Sequence, residues 1–261
     1  MATPTLKKTD TVVAQQRYFM QLSYRGAPFH GWQSQPNAVS VQSTIEKAIF
    51  TVMRYPVRIT GAGRTDTGVN ARKMIAHFDL VEPHPHPDSL VRAINSLVGH
   101  DIAIESLTPV HPDAHARFDA TSRTYHYYAH SGKSPFLHHL SWQAPATLDY
   151  EIMNRAADQL LSVEDFTSFA KLHTDVKTNI CHVTHASWQP CGDNRMVFVI
   201  TADRFLRNMV RAVVGTLVEV GRGKMTLDDF AAVISAKDRC AAGSSMPAHA
   251  LYLWDVTYPY F

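Results

Sequence analysis

Residues 61–71 read Gly-Ala-Gly-Arg-Thr-Asp-Thr-Gly-Val-Asn-Ala. Three glycines within eight positions, Gly61, Gly63 and Gly68, are poor material for a helix or a central strand. They permit backbone angles and close approaches that side chains forbid. The run lies between two segments of strand character, 57–60 and 74–80, so the chain must turn here between strands. What such a turn presents is the carboxylate of Asp66, with Arg64 two positions before it. A neighbouring guanidinium favours the charged carboxylate, which suits a nucleophile. A glycine-rich turn with a surface ion pair fits the same spacing.

Strand and helix patterns alternate on both sides of this run. Residues 18–24 alternate apolar and polar as a half-buried strand does, and a loop over 25–36 follows, with Phe29 and Trp32 expected at the surface. Over 39–53, Val41, Ile45, Ala48, Ile49 and Val52 share one helical face, with Ser40 or Ser43 as the cap and Glu46 completing a capping box. A helix over 88–97 and a strand over 102–107 complete the order βαββαβ. After a strand at 122–130 and a connection over 131–148, a second series begins. It comprises a helix over 148–161, strands over 181–188 and 196–201, a long amphipathic helix over 203–220, a helix over 227–236 and a strand over 251–258.

The expected fold class is therefore α+β: two ferredoxin-like βαββαβ-type units with adjoining antiparallel sheets and a cleft between them. The corresponding division is a disordered leader over 1–16, an N-terminal α+β domain over 17–121 with the Gly-Arg-Thr-Asp loop, and a C-terminal α+β domain over 122–261 with an arginine-rich helix.

A net charge of +2 does not by itself argue for a nucleic-acid partner, so the placement of the arginines carries that question. A helix over 203–220 puts Arg204, Arg207, Asn208 and Arg211 within one arc of about 100°, opposite Phe205, Met209 and Val213. Such a face offers guanidinium groups to phosphates or to a carboxylate, or is a solvated basic face. In the strand at 122–130, Tyr125 and Tyr127 share one side and Thr124, His126 and Tyr128 the other. Aromatic rings on a sheet can stack unpaired bases, with Arg117 and Arg123 on the phosphates; ordinary strand packing accounts for the tyrosines equally well.

Several classes are disfavoured. The 15 histidines include no His-Glu-x-x-His pattern, and Cys181, Cys191 and Cys240 form no Cys-x-x-Cys pair, so neither a metal nor a disulfide framework is expected. No apolar run approaches membrane-spanning length, and the polar first residues lack the features of a signal peptide, which predicts a cytoplasmic protein. Gly132-Lys133-Ser134 resembles the end of a phosphate-binding loop, but Tyr127 stands where its first glycine belongs. There is no Gly-x-Ser-x-Gly elbow, and Gly61-Ala-Gly63 lacks the third glycine of a dinucleotide site.

Four motifs together resemble the tRNA pseudouridine synthase A family: Gly61-Ala-Gly-Arg-Thr-Asp66-x-Gly-Val-x-Ala71, Arg123-Thr-Tyr125-x-Tyr-Tyr128, Phe205-Leu-x-x-Met-Val-Arg211 and Pro247-Ala-x-x-Leu251-Tyr-Leu. The opening Tyr24-Arg-Gly-x-x-Phe-x-Gly-Trp32-Gln33 is similar to the start of that family. The resemblance implies a cofactor-free, metal-free isomerase that turns uridine into pseudouridine in the anticodon stem-loop of tRNA, at positions 38, 39 and 40, and works as a homodimer. It implies Asp66 as the nucleophile and Tyr125 as the ring that stacks on the target base and assists proton transfer. Arg64 and Arg211 are implied to flank the carboxylate, and Leu251 to line the base pocket. Arg204, Arg207 and Arg123 are the expected contacts to the RNA.

The chain departs from the family pattern at Thr67, Asn70, Ser245, Met246 and Ala250, where alanine, histidine, a Thr-Ala-Pro run and glycine are usual. Two other readings stand beside this one. One is a catalytically silent tRNA-binding protein on the same fold. The other is a glycoside hydrolase, which needs a second acid close to Asp66.

Overall fold

The computed structural model describes residues 15–171 and 178–260. The leader expected over 1–16 falls almost entirely outside them. Strand β1 (Gln16–Tyr24) is followed by helix α1 (Val41–Met53), β2 (Thr60–Gly61), β3 (Asn70–Leu80), α2 (Pro87–Asn95) and β4 (Ile102–Val110). The second series is β5 (Ser122–Ser131), β6 (Trp142–Ala144), α3 (Tyr150–Asp158), β7 (Val183–Pro190), β8 (Arg195–Ala202), α4 (Met209–Gly221), α5 (Leu227–Ala236) and β9 (Leu251–Thr257). The short β6, inside the segment expected to be a plain connection, pairs in parallel with the end of β5.

The protein is α+β, but its strands form one continuous mixed sheet rather than two adjoining antiparallel ones. The order is β4-β1-β3-β9-β5-β8-β7, with β2 on β3 and β6 on β5. The seam between the two series is a short parallel pairing of β3 with β9, Asn70 opposite Tyr252 and Ala71 opposite Leu253. It exists because β2 occupies only the far part of the same edge of β3, at His77 and Ala76, which leaves the start of β3 open.

The brevity of β2 has a local cause. The Ile59 N–H donates to Glu46 Oε1 at 3.0 Å and its carbonyl accepts from Gln42 Nε2 at 3.0 Å, so helix α1 takes the groups that would extend the ladder. Glu46 is thus not the capping-box partner the sequence predicts. Ser40 caps α1 by accepting from the Ser43 N–H, and the Ser43 side chain returns the bond to the cap backbone.

Two apolar cores lie under the sheet. Helices α1 and α2 cover one and α3, α4 and α5 the other, with Leu253, Val256 and Tyr258 of the C-terminal strand region entering the first. Tyr125 packs against both.

The largest correction concerns the helix expected over 203–220, which begins only at Met209. Asn208 before it has φ of 65°, a left-handed conformation that no continuing helix contains. The preceding segment is held otherwise: Asp203 Oδ1 accepts from the N–H groups of His182 and Arg204, both at 2.7 Å, and the Arg207 carbonyl accepts from Lys171 N–H. Nor is α4 amphipathic. Eleven of its residues are buried, including Val213, Val214 and Leu217, as befits a helix surrounded by core. Arg204, Arg207 and Arg211 therefore do not form a helical face; only Arg211 is helical.

Candidate active site

Asp66 sits in the turn between β2 and β3, where its carbonyl accepts from Val69 N–H at 3.1 Å and Gly68 takes a φ of +80°. That φ explains the glycine, because a side chain is strained there. The loop over 25–36 lies against this turn. Trp32 N–H donates to the Thr65 carbonyl at 3.4 Å, and the Tyr24 hydroxyl bonds Thr65 Oγ1 at 2.9 Å. Phe29 and Trp32, expected at the surface, are buried, with the Trp32 ring packed directly on Gly61. A Cβ on Gly61 would strike that ring.

The Asp66 carboxylate remains 23 % exposed and faces two guanidinium groups from the other half of the chain. Arg211 Nη1 is 3.5 Å from Oδ2 and Arg207 Nε is 3.6 Å from Oδ1. These distances are longer than tight charge-assisted hydrogen bonds, so the carboxylate is paired electrostatically rather than locked. Arg211 is the better anchored: its Nε donates to the Met246 carbonyl at 2.6 Å, and Met246 N–H donates back to the Arg211 carbonyl. Ser245 Oγ adjoins this anchor, accepting from Asn208 Nδ2 and Arg239 Nη2 at 2.6 and 2.9 Å. One departure from the family pattern, Ser245, thus supports through its side chain the segment that holds Arg211, while Met246 contributes its backbone.

Arg64, implied to flank the carboxylate, is exposed, and among the described residues the cations within 4 Å of Asp66 are Arg207 and Arg211. Arg204 is part-buried and contributes its backbone N–H to Asp203, while Arg207 is largely exposed. Arg123, expected on phosphates, is instead an internal staple. Its Nη1 donates to the carbonyls of Ala120 and Asp203, and its Nη2 to those of Ala62 and Arg117, at 2.6 to 3.1 Å. One guanidinium thereby ties the approach to Asp66 to the segment that carries Arg207. Burial lowers its pKa, and among the described residues its guanidinium hydrogen bonds go to backbone carbonyls.

Tyr125 points from β5 into the same region. Phe205 meets its ring edge-on, with centroids 5.0 Å apart and planes at 83°. Burial pushes its phenol up to about 12, and the Asp66 charge adds to the effect, while Arg123 opposes it. Tyr125 therefore keeps its proton at neutral pH. Leu251 is buried at the start of β9, opposite Tyr127 on β5. On the other face of the sheet, His126 stacks on Trp254 with centroids 4.1 Å apart.

The geometry brings together Asp66, Arg211, Tyr125 and Arg207, and leaves Arg64 aside. Sequence reasoning missed three supports: Tyr24 on Thr65, Phe205 on Tyr125, and Arg123 as a staple. Phe205 stood in a recognised motif but was assigned to the apolar back of a helix. All three cysteines are free thiols. Among the described residues, no three His, Cys, Asp or Glu side chains are grouped to hold a metal ion, and no helix is long and apolar enough to cross a membrane.

Sequence comparison bears on this arrangement of a part-exposed carboxylate facing two arginines at the seam of a mixed sheet. Residues 156–259 match the family model described as tRNA pseudouridine synthase, and the protein is an enzyme of the isomerase class. The chain is similar along nearly its whole length to tRNA pseudouridine synthase A of Parabacteroides distasonis, 59 % identical over 243 residues that span 93 % of this chain and 96 % of the relative. It is 55 % identical to that of Porphyromonas gingivalis, over 93 % of this chain and 97 % of the relative. For Exiguobacterium sibiricum the identity is 34 %, over 93 % and 97 %. The chain belongs to the tRNA pseudouridine synthase A family.

Proposed function

We propose that this protein isomerises uridine to pseudouridine in the anticodon stem-loop of tRNA, at positions 38, 39 and 40, with Asp66 as the nucleophile. The observation that carries this reading is the pairing of Asp66 with Arg211 and Arg207 across the seam, next to the ring of Tyr125. Isomerisation breaks the bond between N1 of the base and C1′ of the sugar, turns the freed uracil and joins C5 to C1′; C5 gives up its proton and N1 gains one, so no atom is lost overall. A carboxylate at the sugar must be charged to act as a nucleophile, and the two guanidinium groups face it at 3.5 and 3.6 Å. Tyr125 supplies a flat surface for the base and a phenol that still carries its proton. It acts as a stacking platform and hydrogen-bond donor in a proton relay, rather than as a free phenolate.

The target uridine has to leave its stack, which costs a few kcal/mol, and binding in a lined pocket offsets this. Leu251 lines that pocket, Arg211 orients the carboxylate, and the exposed Arg207 and part-buried Arg204 meet the RNA backbone. The reading includes a homodimer, and two ferredoxin-like units over 17–121 and 122–261. The strand orders β4-β1-β3-β2 and β9-β5-β8-β7 support that division.

The test is pseudouridine formation at each uridine of an unmodified tRNA anticodon arm, with wild-type protein and Asp66→Ala side by side and no added metal or nucleotide. Product from the wild type alone supports the reading. Product from both removes Asp66 from the chemistry.

A further inference from the structure

Asn70 is the first residue of β3 and lies four positions after Asp66, at the end of the turn that Val69 N–H closes on the Asp66 carbonyl. Its side chain is buried, and both ends of the amide are engaged. Oδ1 accepts from the backbone N–H of Gly26 at 2.8 Å, and Nδ2 donates to the carbonyl of His249 at 2.8 Å. Neither bond is local in sequence. Gly26 lies in the loop over 25–36 that rests on Thr65; a Cβ there would overlap the Val69 carbonyl, so the contact is already as close as backbone allows. His249 lies three residues beyond Met246, whose carbonyl takes Arg211 Nε. One buried amide thus joins the Asp66 turn, the loop supporting it and the segment that anchors its cation.

We infer that Asn70 is a positioning residue for the isomerisation, bridging Gly26 and His249 so that the Asp66 turn and the Arg211 anchor stay in register across the seam. The inference rests on the catalytic reading of Asp66 above. Physically, the seam is only a two-residue parallel pairing, Asn70 with Tyr252 and Ala71 with Leu253, and too short to fix the two halves alone. Removing the acceptor leaves the buried Gly26 N–H without the amide and removing the donor does the same to the part-buried His249 carbonyl, which the chain relieves by letting the segments part. A shift of that kind acts on turnover before it acts on RNA binding, because the Asp66–Arg211 distance is reset while the exposed arginines are not.

The bridge needs one acceptor and one donor. A neutral imidazole provides one of each, a carboxylate only acceptors, and alanine neither. The experiment compares wild type with Asn70→Ala, Asn70→Asp and Asn70→His for kcat, KM, tRNA Kd and melting temperature, with Asp66→Asn as a control. Asn70→Ala and Asn70→Asp are expected to lose kcat by about 10²-fold, the scale set by misplacing reacting groups by an ångström, with Kd unchanged. Asn70→His is expected to recover most of the loss at pH 8. It should then lose activity again in the acid range, below the ordinary imidazole value of about 6.5 because burial disfavours the charged ring, where imidazole gains a proton and both nitrogens become donors. That acidic limb, absent from wild type, is a signature that a merely structural role does not produce, and it decides the matter if Asn70→Ala fails to fold. Wild-type kcat in Asn70→Ala or Asn70→Asp, or an Asn70→His variant with no rescue and no acidic limb, overturns the inference. Full activity in Asp66→Asn instead overturns the catalytic reading beneath it, so the two failures are told apart.

Discussion

Asp66 Oδ2 and Arg211 Nη1 lie 3.5 Å apart although 145 residues of chain separate them. Each is held by its own neighbourhood, Asp66 by a turn closed with Val69 and Arg211 by the Met246 carbonyl, so the pairing reports how the two halves are set against one another.

Replacing Asp66 by Asn keeps the shape and removes the charge. Turnover should fall by at least about 10³-fold, as when a covalent nucleophile is lost, while tRNA binding persists. Single-turnover assays and a binding titration check this; lost binding with residual turnover would sink it.

Arg211 and Arg207 should separate in their effects. Arg211→Lys removes the fork that reaches both Met246 and Asp66, so kcat should drop by about 10- to 100-fold. Arg207→Ala and Arg204→Ala should chiefly weaken tRNA binding and reduce its salt slope by about one unit each. Kd measured over a range of salt concentrations distinguishes the two classes, and an unchanged slope removes Arg204 or Arg207 from the RNA path.

Arg123 predicts the opposite behaviour from a phosphate contact. Arg123→Met leaves four carbonyls without their donor, so stability should fall by about 3 kcal/mol, with no change in the salt slope of tRNA binding. Denaturant midpoints and the same salt series test this. A flattened slope at unchanged stability would return Arg123 to the RNA.

Burial holds His126 and His77 down at about 4, against 6.5 for an ordinary imidazole, with His115 and Arg17 adding to the effect at His77. Between those values the unfolded chain binds more protons than the folded one. Stability is therefore complete above about pH 6.5 and is lost as pH falls toward 4, by up to ~1.4 kcal/mol per pH unit for each group. His126→Phe preserves the stack on Trp254 and removes one titration, so the plot of unfolding free energy against pH should flatten across that window. An unaltered slope would show that His126 titrates normally.

Much of the architecture was readable locally. The faces of α1, the extent of α5 and the presence of strands β1, β5 and β8 follow from periodicity and caps, which depend on neighbours a few residues away, although β8 buries Val197, Phe198, Val199 and Ile200 in succession rather than alternating. The start of α4 was not, because the apolar pattern through Phe205 and Leu206 continues while the backbone is held by Asp203, His182 and Lys171. Glu46 misled for the same reason: it sits three positions after Ser43, the spacing of a capping box, yet its carboxylate is engaged by Ile59 and Arg58.

The sequence by itself determined the α+β class, the turn that presents Asp66 and, through its motifs, the family. These rest on local conformational preference and on residue identity, both of which survive without knowledge of the fold. Only the tertiary structure decided that one sheet runs through both halves, that Arg207 rather than Arg64 joins Arg211 at the carboxylate, and that Arg123 points inward. Those outcomes depend on which distant backbone groups compete for a donor or an edge, and that competition is settled only when the chain has closed on itself.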